Sequence, residues 1–203
     1  MRSILTLRKF ATAFLVGLVL ASATAARAED MPLDRVIETM KTSIREKNDA
    51  MRNRMFFKLR ALGSKAVPAL VGVLKENEPE VSDYAAFTLG WIADPTAIPE
   101  LLAFLERGAS SQKRHALQAL GNMAWGTKQE VRARVHELAV GKMIPYLDSS
   151  DLAVRRDAAY GLGLAGDKKA IAPLRKLVDH EDKVLRFLAQ EAIDRIESVQ
   201  RNN

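Results

Sequence analysis

Four stretches of the chain align without gaps: SDYAAFTLG ending at Gly90, KRHALQALG at Gly121, RRDAAYGLG at Gly163 and RFLAQEAID at Asp194. One column reads Ala85, Ala116, Ala158, Ala189 and another Leu89, Leu120, Leu162, Ile193, with a small residue always before the latter: Thr88, Ala119, Gly161, Ala192. The intervals are 31, 42 and 31 residues. Recurrence at such a period marks stacked supersecondary units, none of which can bury its apolar face alone. A chain written this way is confined to a repeat architecture before any composition is considered.

A second motif precedes each stretch: AVPAL at Ala66, AIPEL at Ala97, MIPYL at Met143 and AIAPL at Ala170. Its aliphatic pairs are Val67/Leu70, Ile98/Leu101, Ile144/Leu147 and Ile171/Leu174. Helix-compatible spacing, with proline where a first turn tolerates it, predicts that a helix opens at each motif and runs through Leu74, Leu105 or Val178. A polar turn such as DSSD or DHED follows, and the Ala-rich stretch forms the return helix. Aromatics are only 6% of the 203 residues, which also suits helices. The expected fold is all-α, an α-solenoid of stacked antiparallel helix pairs.

Through DPTAIPELLAFL, DLAVRRDAAYGLGLAGD and DKKAIAPLRKLV, the chain resembles the HEAT-like repeats named after phycobilin lyases. The resemblance spans roughly residues 63–197 and implies the solenoid fold; this repeat serves enzymes and passive scaffolds alike. Phycobilin lyases act on cytoplasmic chromophore carriers, whereas this chain carries an export pattern.

Gly161, Gly163 and Gly166 spell G-x-G-x-x-G, the lettering of a dinucleotide loop. Such a loop needs a buried strand before it, and LAVRRDAAY is helical in pattern instead. Gly161 and Gly163 are read as close helix packing, and Gly166 follows the helix as Ala93 and Ala124 do. No cofactor is expected.

Residues 1–28 have a basic start (Arg2, Arg8, Lys9), an uncharged apolar run and Ala26-Arg27-Ala28, the layout of a secretory signal peptide cleaved after Ala28. The chain is therefore expected to be exported, to the periplasm, with a membrane link only if the leader stays on. The whole chain has 31 basic and 25 acidic residues. Four of the basic ones and none of the acidic ones lie in the leader, leaving 27 against 25. A nearly neutral mature chain removes the compositional case for nucleic acid, and zero cysteines exclude a disulfide framework.

Two segments break the period. Residues 29–62 place Leu33, Ile37, Met40, Ile44, Met51, Met55 and Leu59 at helical spacing and read as an N-terminal helical cap, or else as a mobile arm, ahead of a repeat domain at 63–203. The long interval holds an insertion near 122–142, where Val131, Val135 and Leu138 form a stripe with Lys128, Arg132 and Arg134 to the side. It reads as a longer or additional helix, or as a basic ridge for a partner.

Some HEAT-repeat enzymes, deoxyhypusine hydroxylase among them, bind two irons through repeated His-Glu pairs. Here His136-Glu137 falls in the insertion and His180-Glu181 in a predicted turn. The matching column offers only His115, followed by Ala116. No metal is expected, and a HEAT-type metal-dependent enzyme related to that hydroxylase or to phycobilin lyase stays the alternative to a scaffold. The leading expectation is protein binding through the second helices. Their free face carries Tyr84 and Trp91, then His115, Gln118 and Asn122, then Tyr160. Phe87, Tyr84 and Trp91 equally suit the joint with the N-terminal hairpin.

Overall fold

In the computed structural model of the protein, residues 31–76, 78–125 and 128–201 are described. The leader at 1–28 lies outside them. Polar caps and turns cut the chain into antiparallel pairs: α1 (Leu33–Arg45) with α2 (Asp49–Leu62), α3 (Val67–Leu74) with α4 (Pro79–Ile92), and α5 (Ile98–Arg107) with α6 (Ser110–Ala124). Then come α7 (Gln129–Leu138), the short α8 (Val140–Met143) leading to α9 (Leu152–Ala165), and α10 (Ile171–Arg175) with α11 (Lys183–Arg201).

The proline motif does more than open a helix. A single 3-10 turn precedes α3, α5 and α10, at Gly63–Ala66, Pro95–Ala97 and Lys168–Ala170. Asp94 and Asp167 start two of these turns by accepting the N–H of Thr96 and Lys169, each at 2.9 Å. The third unit differs: MIPYL is itself a 3-10 segment, Ile144–Asp148, with the Tyr146 hydroxyl donating to the Leu105 carbonyl at 3.3 Å. Helix α10 also stops before the expected Val178. Beyond Arg175 the bonds tighten to i→i−3, from Leu177 to Leu174 and from His180 to Leu177, so Leu177 still reaches the core.

The recurrent columns are the core. Ala85, Ala116, Ala158 and Ala189 are fully buried, as are Leu89, Leu120 and Leu162, with Leu70, Leu101 and Leu174 beneath them on the first helices. Second helices α4, α6, α9 and α11 pack directly on one another, whereas consecutive first helices barely touch. Small residues permit that approach. A Cβ added to Gly90 would stand 2.7 Å from the Ala119 Cα, and one on Gly163 would stand 2.7 Å from the Ala192 Cβ. At the α6–α9 crossing, a Cβ on Gly121 would meet the Gly161 carbonyl at 2.6 Å, and one on Gly161 the Leu117 carbonyl at 2.5 Å. The glycine-rich lettering is thus a row of helix crossings. Gly166 caps α9 in the left-handed region (φ 75°), and Ala93 does the same for α4 (φ 55°). Ala124 departs from the expectation: it is the last residue of α6, which ends instead at extended Trp125.

The insertion supplies the separate helix α7. It is anchored by buried Val135 and by a 2.6 Å contact from His136 Nε2 to the Ala165 carbonyl. Arg134 pairs with Glu137 of its own helix. No helix among the described residues is long and apolar enough to cross a membrane.

Candidate functional site

The second helices are tied together across their free face by polar side chains. Asp83 on α4 accepts a hydrogen bond from the Ser111 hydroxyl, and its Oδ2 lies 3.3 Å from His115 Nδ1 on α6. Arg114 and Gln118 of α6 both donate to Asp157 of α9, Gln118 at 2.8 Å. Arg156 of α9 then grips Asp182, the cap of α11, with Nε donating to Oδ1 and Nη2 to Oδ2. That grip holds the Asp182 carboxyl down at about 2, with the Leu185 N–H assisting. Hydrogen bonding to Asp83 raises His115 above its ordinary 6.5 against the opposing cost of burial.

Where α4 and α6 meet the N-terminal hairpin, this face opens into a groove of about 840 Å³. Its apolar wall is an aromatic row: Phe56 lies 5.3 Å from Phe87, and Phe87 is 5.9 Å from Tyr84 and 6.3 Å from Trp91. Phe57 stands at the opening, 63% exposed. Guanidinium groups cover three of the rings, Arg52 over Tyr84 at 5.7 Å and Arg60 over both Phe56 at 5.6 Å and Trp91 at 5.5 Å. The polar lining comes from Lys47, Arg52 and Asn53 of the hairpin side and from Glu80, Asp83, His115 and Gln118 of α4 and α6. Asp83 is only 8% exposed, and its Oδ1 has no hydrogen-bond partner.

The six residues singled out in the sequence divide between two places. Tyr84, His115 and Gln118 line the groove. Trp91 prolongs its aromatic row and is 41% exposed. Tyr84 is also a joint: it is half-buried, and its hydroxyl donates to the Arg52 carbonyl at 3.2 Å. Asn122 lies half-buried further along α6. Tyr160 borders a separate hollow with Phe187, Leu188, Glu191 and Arg195, near Trp125, whose ring lies 4.6 Å from the Arg195 guanidinium. Sequence reading missed Phe56, Phe57 and Asp83. The Phe pair falls off the apolar stripe of its helix, and Asp83 occupies a column that holds Arg114 and Arg156 in the next two units; both irregularities were legible.

The histidines are dispersed on α6, α7 and the turn before α11. His115 Nδ1 lies 2.9 Å from the Ser111 carbonyl, and His180 Nε2 lies 3.1 Å from Arg155. Among the described residues, no three His, Cys, Asp or Glu side chains are grouped to hold a metal ion.

Paired helices stacked through one continuous core define a helical-repeat solenoid. More narrowly, the chain belongs to the HEAT-repeat family, whose model matches residues 37–121 and 140–201. The first matched segment begins inside α1. Among solved structures, the complex of CpcE and CpcF of phycocyanin lyase from Nostoc sp. PCC7120 is similar at TM-score 0.65 and 22% identity, covering 77% of this chain and 96% of that one. An engineered protein is similar at TM-score 0.58 and 24% identity over 82% and 81%. A designed armadillo repeat protein in complex with the peptide (KR)4 is similar at TM-score 0.56 and 16% identity over 81% of each chain. These likenesses establish the fold alone. No curated protein matches the chain.

Proposed function

We propose that the protein is an exported HEAT-repeat scaffold that captures a protein partner on the face formed by its second helices. The observation that carries this reading is the groove between α2, α4 and α6, where exposed aromatics stand beside polar groups held in place by inter-helix hydrogen bonds. Rigid aromatic anchors with fixed polar neighbours are what a protein interface concentrates. The fold is also one on which a designed armadillo repeat protein holds a peptide. Export rests on the leader pattern of residues 1–28.

The test is affinity capture from the native envelope fraction with residues 29–203 as bait, beside a Phe57→Ala/Trp91→Ala variant. Both side chains are exposed, so this pair spares the Tyr84 joint. A partner held by the wild type and lost by the folded variant supports the scaffold. Equal capture by both moves the interface elsewhere. Intact mass of the envelope form reads whether the leader has been removed.

A further inference from the structure

On that scaffold reading, we infer that the outer face of α2, with its seam against α4, docks an acidic segment of the partner that carries an aromatic or aliphatic anchor. The charge of the chain is segregated there. Of the 27 basic and 25 acidic residues beyond the leader, six basic ones and only one acid, Asp49, fall between Lys47 and Lys65. Elsewhere acids lead, 24 to 21. From Arg54 to Lys65 on one side of the seam, and from Tyr84 to Ala93 on the other, the chain holds no acid at all.

The face is built around one side chain. Phe57 is 63% exposed, and helical spacing puts Asn53, Arg54, Arg60 and Ala61, all exposed, one turn to either side of it. Met55 and Leu59 hold the opposite side of α2 in the core. Arg60 stands over both the Phe56 and the Trp91 ring. Such contact uses the face of a guanidinium and leaves its N–H edges for a carboxylate. Neither Arg54 nor Arg60 forms a side-chain hydrogen bond or ion pair among the described residues. The groove floor beside them is mixed in sign, with Lys47, Arg52 and His115 against Glu80 and Asp83. There Arg52 is paired with Asp49 at 2.9 Å, and Asp83 is engaged by Ser111 and His115. That leaves Glu80 against Lys47, so the unopposed Arg54 and Arg60 set the sign. A bilayer of anionic lipid would suit the same charges, but a flat surface cannot enter a hollow of about 840 Å³. A peptide can, laying its anchor against Phe57 and Trp91 with its carboxylates on Arg54 and Arg60.

The experiment uses immobilised mature protein and pooled dodecapeptides, degenerate except for a fixed phenylalanine flanked by glutamates. Parallel pools replace the glutamates with glutamine or lysine, or the phenylalanine with serine. The glutamate–phenylalanine pool is expected to be retained about tenfold over the glutamine pool, a ratio that shrinks as salt rises. Arg54→Gln/Arg60→Gln should bring that ratio near one. Lys168→Gln/Lys169→Gln, which removes equal charge from exposed sites in the last unit, should leave it unchanged. Phe57→Ser should abolish the advantage of phenylalanine over serine. Equal retention of the glutamine or lysine pool by the wild type overturns the docking strip. So does a preference that survives in the double arginine variant, or one that falls equally in the double lysine variant. Vesicles of phosphatidylglycerol in phosphatidylcholine run beside the peptides. Sedimentation with them, lost in the arginine variant and joined to no discrimination among the pools, overturns the peptide in favour of a bilayer. Full capture of the envelope partner by folded Arg54→Gln/Arg60→Gln leaves the scaffold standing and overturns the acidic docking strip.

Discussion

His115 and Ala93 show how single residues carry energetic consequences. Because Asp83 raises the folded-state value of His115, the protonated imidazole binds its proton more tightly folded than unfolded. The stabilisation is fully present below the ordinary imidazole value and is lost as pH rises through the raised one. Melting temperature should therefore fall as pH rises above the ordinary imidazole value, and this fall should shrink in His115→Asn. An NMR titration placing His115 at or below its unperturbed value would refute the cause. Ala93 holds a left-handed conformation where the equivalent Gly166 does so freely. For alanine that region costs ~1–2 kcal/mol, partly offset by the chain entropy that glycine adds to the unfolded state, ~0.4–1 kcal/mol. Ala93→Gly should thus stabilise the protein by ~0.5–1 kcal/mol, read as a higher urea midpoint; a lower midpoint would contradict the strain.

At the scale of helices, two glycines of the same kind should respond in opposite directions. Gly72 is exposed within α3, and an added Cβ would meet nothing within 4 Å. Gly72→Ala should therefore gain most of the helix propensity difference, ~0.5–1 kcal/mol. At Gly161 the same methyl would fall 2.5 Å from a backbone carbonyl that cannot swing aside. Overpacking of ~1–3 kcal/mol or more then exceeds the propensity gain, and the urea midpoint should drop. If both variants shift in the same direction, the crossing is looser than described. The sequence made these helices legible because Ala, Leu and small residues recur in register, and that register is the core itself. It did not show where α10 tightens, since i→i−3 bonding depends on pulling Leu177 inward. Nor did it show that Ala124 stays helical, because the chain's direction after α6 is set by α7 docking through Val135 and His136. The groove was half legible: Tyr84, Phe87, Trp91, His115 and Gln118 lie on the repeat's own face, but Phe56 and Phe57, which complete its aromatic wall, belong to the N-terminal hairpin, which the period does not describe. Asp83's free oxygen depends on which neighbours reach it in three dimensions.

For the whole molecule, each unit touches mainly its neighbours, so stability should grade along the stack. Amide exchange is expected to be slowest in α4, α6 and α9, each flanked by second helices on both sides or by the hairpin, and fastest in α1 and the end of α11. Uniform exchange across all second helices and α1 would mean a single cooperative unit. The tight glycine crossings also give the stack a preferred direction of movement. Second helices already meet backbone to backbone, while consecutive first helices stand further apart. Curling further would require compressing a layer that is already at contact, or parting the outer helices and wetting the core. Flattening brings together first helices whose backbones are not yet in contact. The molecule should therefore behave as a one-way spring, able to straighten along a partner but not to tighten around it.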